Sequence, residues 1–237
     1  MRIVLVRPRD PNNVGAAARA MANFGFEDLV VVDPWEPTWR EAKSAVGASH
    51  VLESARSVST LEEAIGDCHH VIATTAATGR QLSEALDPVV AFASMREQGI
   101  EPSRAAILFG NEKHGLTSEE LDRAHAVVVV PTSARQPSMN LSHAVTVIVW
   151  EASRAFGAAT GASEPAGRGV KQRATIAQIE RLVEAATGTK PGAVELARPV
   201  AAADRFRRLL LRSNPSAEDI QLLHALLNRQ SDNDSAS

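Results

Sequence analysis

Five short apolar runs constrain this chain more than any other feature: Ile3–Val6, Leu29–Val32, His70–Thr74, Ala105–Phe109 and Val127–Val130. A strand with one wet face alternates polar and apolar residues, because successive side chains point to opposite sides. These runs, rich in Val and Ile, do not alternate. Both of their faces must therefore be covered, as in a parallel sheet with helices on each side. The segments between them are helical in character, notably the Ala-rich stretch Val14–Phe24. Strand–helix–strand repetition predicts an α/β fold with a mostly parallel sheet flanked by helices.

The pattern changes towards the C-terminus. Ser138–Phe156 reads as one long helix that ends at Gly157. Residues 158–170, rich in Gly, Ala and Ser, read as a flexible linker. Beyond it the apolar spacing is helical only: Ile176, Ile179, Leu182 and Val183; Phe206, Leu209 and Leu210; Ile220, Leu223 and Leu227. Asn214-Pro215 is the expected start of the last helix. The expected units are an α/β domain over 1–157, a linker over 158–170, a helical extension over 171–230 and a disordered polar tail over 231–237. A chain of 237 residues with 44% hydrophobic and 22% charged residues can build one such domain and a smaller appendage.

Composition narrows the chemistry. The formal net charge is −3, so any nucleic-acid contact must rest on a local basic patch. Cys68 is the only cysteine, which leaves no intrachain disulfide and no CxxC pair for a metal, and a reducing cytoplasm is expected. No apolar run approaches the ~20 residues of a membrane span. The opening Met1–Val6 is too short for the core of a signal peptide and reads as a buried strand. There is no tyrosine, which argues against base stacking on aromatic platforms. Trp35 and Trp39 lie one helical turn apart in a Pro-rich loop. They are open to stacking on RNA, but packing against the core is the favoured reading.

Three loops at strand ends carry residues suited to chemistry. The first, Pro11–Ala20, holds Asn12 and Asn13 before a small-residue helix that presents Arg19 among alanines. Its plain alternative is a solvated arginine on an amphipathic helix. The second, Leu108–Thr117, reads Leu-Phe-Gly-Asn-Glu-Lys-His-Gly-Leu-Thr. It approaches a phosphate-binding loop, but Leu116 stands where that motif needs lysine, so an NTPase is rejected. Thr117 and Glu120 form a potential capping box. The third, Pro137–Val145, places Ser138 and Asn140 at a helix start, where they suit capping or leave backbone N–H groups for a ligand. A Gly-x-Gly loop after the first strand, which a Rossmann methyltransferase would carry, is absent.

Taken in this order, the loops resemble the three motifs of the TrmH/SpoU family of SPOUT methyltransferases. Asn13 and Arg19 match its first motif, Phe109–Glu112 with Gly115-Leu116 its second, and Ser138–Leu141 its third. The resemblance covers Met1 to about Phe156. The helical extension, through Arg205–Leu209 and Asp219–Leu223, is similar to that of a branch acting on ribose 32 of the tRNA anticodon loop. Asn111 departs from that branch, which usually has arginine there, and is more like other members of the family.

The resemblance implies a SPOUT fold whose C-terminal part forms a deep trefoil knot, a rarity among folds. It implies a homodimer with an active site shared across the interface. It also implies S-adenosyl-L-methionine bound by Thr74, Thr75, Ala76, Gly110, Val130, Ser138, Met139 and Asn140. Catalysis would fall to Arg19, with Asn13, Glu112, Ser138 and Asn140 positioning it, the ribose and the cofactor. Stripping a proton from an arginine at pH 7 costs about 7–9 kcal/mol. A cation that holds phosphate and stabilises developing alkoxide is therefore the more economical role than a general base.

The expected substrate is tRNA at ribose 32, with rRNA or another tRNA position as the alternative, and a non-catalytic RNA-binding module as the remote one. Arg205, Arg208 and Arg212 recur on one helix face and are expected to meet RNA phosphates. Solvated arginines paired with Asp204 and Glu218 are the plain alternative. Ending the chain near Ala158 is expected to spare cofactor binding but weaken tRNA binding and methylation, if dimerisation persists. No role is assigned to His114 or His143, and no metal is expected.

Overall fold

The computed structural model of the chain describes residues 1–35, 37, 39–76, 85–157, 172–188 and 198–234. Among them, six strands form one sheet: β1 (Arg2–Val6), β2 (Leu29–Val32), β3 (Arg56–Val58), β4 (His70–Thr74), β5 (Ala105–Phe109) and β6 (Ala126–Val128). Their order is β3-β2-β1-β5-β4-β6, and every pairing is parallel. All five expected strands are present, the last ending two residues early. The sixth, β3, has exposed or half-buried residues and an edge position, so its sequence carries no apolar run. Strand order and register do not describe how a chain threads its own loops, so the expected knot is not read from them.

The helices cover both faces, as unalternating strands require. Ile3, Leu5, Leu29, Val31, Ile107 and Phe109 point into one core. It is closed by α1 (Pro11–Asn23), α2 (Ser49–Ser54), α4 (Pro88–Glu97) and α6 (Leu141–Phe156). The intervening Val4, Val6, Val30, Val32, Ala106 and Leu108 point into the other. There they meet α3 (Leu61–Ile65), α5 (Ser118–Leu121), α7 (Ile176–Thr187), α8 (Arg198–Ser213) and α9 (Ala217–Asp234).

This second core changes the reading of the C-terminal helices. They are not an appendage: Ile176, Ile179, Leu182 and Val183 of α7 are buried with the strands of the sheet. The Ile176 amide donates to the Cys68 carbonyl at 2.9 Å, and Ala177 to Gly66 at 3.1 Å. Arg208 pairs with Asp122 beyond α5 at 3.0 Å. Burying four such side chains is worth roughly 6–12 kcal/mol as an upper figure.

Two further boundaries differ from expectation. The last helix starts at Ala217, not at Pro215. Ser216 and Asp219 cap each other there: the Ser216 amide and hydroxyl donate to the Asp219 carboxylate (2.9 and 2.7 Å), and the Asp219 amide donates back at 3.2 Å. That helix runs to Asp234, four residues into the stretch expected as a tail. The linker at 158–170 lies outside the described residues. No helix among the described residues is long and apolar enough to cross a membrane.

Candidate active site

Strands β1 and β5 lie side by side at the point where the strand order reverses. Loops leaving two such strands diverge and open a crevice at the carboxyl edge, the common ligand position in open α/β sheets. The loop after β1 turns at Arg7, whose φ of 50° is unusual for a residue with a side chain. Its guanidinium is held by the Glu120 carboxylate in two hydrogen bonds, one of them 2.9 Å. Glu120 also completes the expected capping box with Thr117. Asp10 then caps α1, with Pro11 in its first turn.

The loop after β5 is closed by its own residues. Asn111 Oδ1 accepts from the amides of Lys113 (3.0 Å) and His114 (2.7 Å), and the Gly115 amide donates to the Asn111 carbonyl at 2.9 Å. Gly115 has φ +66°, and a Cβ on Gly110 would lie 2.0 Å from the Gly115 carbonyl carbon. Both glycines are thus required by geometry. Asn111 has a structural task here, which accounts for an asparagine at this position.

The three loops are joined by a hydrogen-bond relay. The Ser142 amide and hydroxyl donate to Asn140 Oδ1 at 2.9 and 2.7 Å. Asn140 Nδ2 donates to Asn13 Oδ1 at 2.9 Å. Asn13 Nδ2 donates to Glu112 Oε1 at 2.9 Å. The amides of Arg9 and Asp10 donate to Glu112 Oε2 and Oε1 at 2.9 and 3.2 Å. The polarity is forced, since a carboxylate only accepts. Asn13 must turn its NH2 to Glu112, which leaves its oxygen for Asn140 and Asn140's oxygen for the helix N-terminus. Burial works against the Glu112 charge, but the bonds from Asn13 and the backbone outweigh it and hold the carboxyl below its usual value.

Beside the relay lies a cavity of about 270 Å³. Its wall comprises Thr74 at the end of β4 with Thr75 and Ala76 beyond it, Phe109–Gly115, Val130 and Thr132 after β6, and Pro137–Met139. Leu141, Ala144 and Ile148 of α6 form its floor. The Thr74 hydroxyl donates to the Leu108 carbonyl at 2.8 Å, fixing the β4 loop to β5.

Seven of the eight expected cofactor residues line this cavity: Thr74, Thr75, Ala76, Gly110, Val130, Ser138 and Met139. Asn140 does not; its amide is engaged with Asn13 and Ser142. Thr132 and the α6 floor were missed, although Leu141, Ala144 and Ile148 carry a readable signal in their i, i+3, i+7 spacing. His114 is in the wall, and His143 is exposed outside it.

Arg19 is exposed and outside the cavity, with no hydrogen bond or ion pair to the described residues. Arg205, Arg208 and Arg212 are exposed on α8, remote in sequence from all three loops, and Arg208 is paired with Asp122. Asp204 pairs with Arg207. Among the described residues no cluster of His, Cys, Asp or Glu could hold a metal ion.

A six-stranded parallel sheet with this strand order, whose loops converge on one cavity in place of a Gly-x-Gly turn, defines a methyltransferase of the SPOUT class. Residues 1–150 match the SpoU rRNA Methylase family, and the chain belongs to that family. A tRNA (cytidine/uridine-2'-O-)-methyltransferase TrmJ from Klebsiella pneumoniae is 31% identical over 237 residues, covering 96% of this chain and 94% of its own. A tRNA (cytidine-2'-O-)-methyltransferase TrmJ from Methanocaldococcus jannaschii is 40% identical over 151 residues, which span 63% of this chain and 65% of the relative's length. The crystal structure of TrmJ from Z. mobilis superposes with a TM-score of 0.79 at 29% identity, over 97% of this chain and 98% of that one.

Proposed function

We propose that the protein transfers a methyl group from S-adenosyl-L-methionine to a ribose 2'-hydroxyl of tRNA, with ribose 32 of the anticodon loop as its target. The relay through Asn140, Asn13 and Glu112 carries this reading. It locks the three family motifs together beside a cavity with an apolar floor and a wall of hydroxyls and backbone. Phe109, Leu141 and Ile148 suit the adenosyl part of the cofactor, while Thr132, Ser138 and the Gly110 loop suit its polar groups. Bound there, the cofactor supplies a methyl group on a positively charged sulfur. The chain's own residues fix the loops and align the hydroxyl, and alignment alone contributes up to ~7–11 kcal/mol in well-oriented reactions.

Arg19 completes the site from a second copy of the chain. It follows Asn13 by six residues on α1, about 120° around the helix and ~9 Å along it, which turns it away from its own chain's relay. Helix α1 packs on α6, where Trp150 is largely exposed beside Phe24, with ring centroids 5.4 Å apart. That apolar area supports a homodimer through this face. From the partner, Arg19 holds an RNA phosphate and stabilises the developing alkoxide as a cation, and the hydroxyl proton leaves to solvent. Arg205, Arg208 and Arg212 lie on one exposed face of α8, suited to further phosphates.

The test is methyl transfer to tRNA and rRNA transcripts separately, with the product mapped to the nucleotide. Label on ribose 32 of tRNA is expected. Label confined to rRNA would overturn the tRNA assignment, and cofactor binding without transfer to either RNA would leave a binding module.

A further inference from the structure

The tryptophans of the Pro-rich loop have separate fates. Trp39 is 2% exposed and belongs to the core, whereas Trp35 is 66% exposed. An indole left in water forgoes one of the largest apolar burials available to a side chain. Yet Trp35 is held in place: its backbone amide donates to the Pro8 carbonyl at 3.1 Å, which docks the loop after β2 on the loop after β1. The guanidinium of Arg9 lies over the ring, 4.6 Å from its centroid. The Arg9 side chain has no carboxylate partner among the described residues, while its backbone amide donates to Glu112 at 2.9 Å. Trp35, Arg9 and Glu112 thus form a continuous line along the carboxyl edge of the sheet. The line runs from the β2 loop to the wall of the cavity.

We propose that Trp35 and Arg9 form a subsite for the substrate RNA, in which the indole stacks on one unpaired nucleobase near the target ribose and the guanidinium binds a phosphate. This rests on the RNA-methylating reading above. Every nucleobase has a π-face, so a single exposed indole grips a loop nucleotide without reading its identity. An arginine fork matches phosphate geometry, and its contact with the ring holds it ready. A chain of net charge −3 has no general attraction for RNA, so local contacts of this kind contribute to holding it. The absence of tyrosine argues against a multi-base platform, not against one stacked base.

The test compares the full-length wild type with Trp35→Ala, Trp35→Phe and Arg9→Ala. It uses a tRNA transcript and a single-stranded loop RNA, and measures cofactor affinity separately. Trp35→Ala should weaken RNA binding and raise KM for RNA roughly 5- to 150-fold, with cofactor affinity retained. Trp35→Phe should recover most of that loss. RNA should quench the fluorescence of the wild type but not the same component in Trp35→Phe. Arg9→Ala should lower the salt slope of RNA binding by about 0.7, one single-strand phosphate contact. Unchanged RNA affinity in Trp35→Ala, with equal quenching in Trp35→Phe, would overturn the subsite even in an active enzyme. A shift in self-association in place of RNA affinity would also overturn it. Quenching that depends on Trp35 in a protein that methylates no RNA would leave the subsite standing and remove the activity instead.

Discussion

Glu112 accepts three N–H donors with two oxygens, and that count decides what a substitution does. Glu112→Gln leaves one oxygen for three donors, so its NH2 must face at least one N–H, donor against donor, and the anchor of the relay is weakened. Methyl transfer should fall on the order of tenfold or more, a barrier increase of about 1.4 kcal/mol or above. The pH dependence has a defined sign. A carboxyl held below its ordinary value of 4.5 contributes stability in full above that value and loses it as pH falls through the lower folded value. The melting-temperature difference between wild type and Glu112→Gln should therefore be largest near neutrality and vanish in acid. A difference that grows on acidification would contradict the relay. Arg19→Ala should abolish transfer while cofactor binding survives, because Arg19 is outside the cavity of its own chain. A variant keeping more than about a tenth of wild-type kcat, a deficit under ~1.4 kcal/mol, would remove Arg19 from the mechanism. At this scale the sequence named Asn13, Glu112 and Asn140 but not their connection. Hydrogen-bond partners 99 and 127 residues apart leave no local pattern.

Among the elements, the packing of α8 on α7 turns on a residue that periodicity does not flag. Arg207 lies between Arg205 and Arg208, which the helical spacing marks as an exposed face. In the fold its side chain is only 8% exposed and pairs with Glu180 of α7 at 2.8 Å and Asp204 at 2.6 Å. Arg207→Ala would leave Glu180 buried and unpaired, at a cost of roughly 3–5 kcal/mol. Urea unfolding should show that loss, and Arg207→Leu combined with Glu180→Leu should recover most of it, since two apolar side chains strand no charge. Equal stability of wild type and Arg207→Ala would mean that the pair contributes nothing. The capping box of Thr117 and Glu120 was legible because its partners are three residues apart. The bond from Arg7 to the same Glu120 was not, because it spans 113 residues.

For the whole molecule, the second core reverses the expectation for truncation. A chain ending near Ala158 would uncover the face formed by Val4, Val6, Val30, Val32, Ala106 and Leu108 and lose the burial of α7. The truncated chain should unfold or aggregate at 25 °C. A soluble, cofactor-binding fragment with native circular dichroism would restore the view of the helices as an appendage. Assembly is tested by mixing. Arg19→Ala and Asn140→Ala homodimers should each be inactive. A heterodimer of the two should regain one site, with its relay from the Arg19→Ala chain and its arginine from the Asn140→Ala chain. Absence of recovery in a verified heterodimer would place Arg19 in its own chain's site.

By itself the sequence determined the class of fold and carried the motifs of the family to which the chain belongs. Unalternating strands demand cover on both faces, and short-range signals such as caps, glycine loops and Asn13 with Arg19 are written within a few residues. The tertiary structure alone decided three things: that the helices beyond residue 171 supply one of those covers, that the Asn140 amide bonds to Asn13, and that Trp35 stands in solvent while Trp39 is buried. Each depends on which surfaces meet after the chain has closed. Periodicity shows that a face must be covered, but not by which helix. Residue type shows that an amide will be bonded, but not to what.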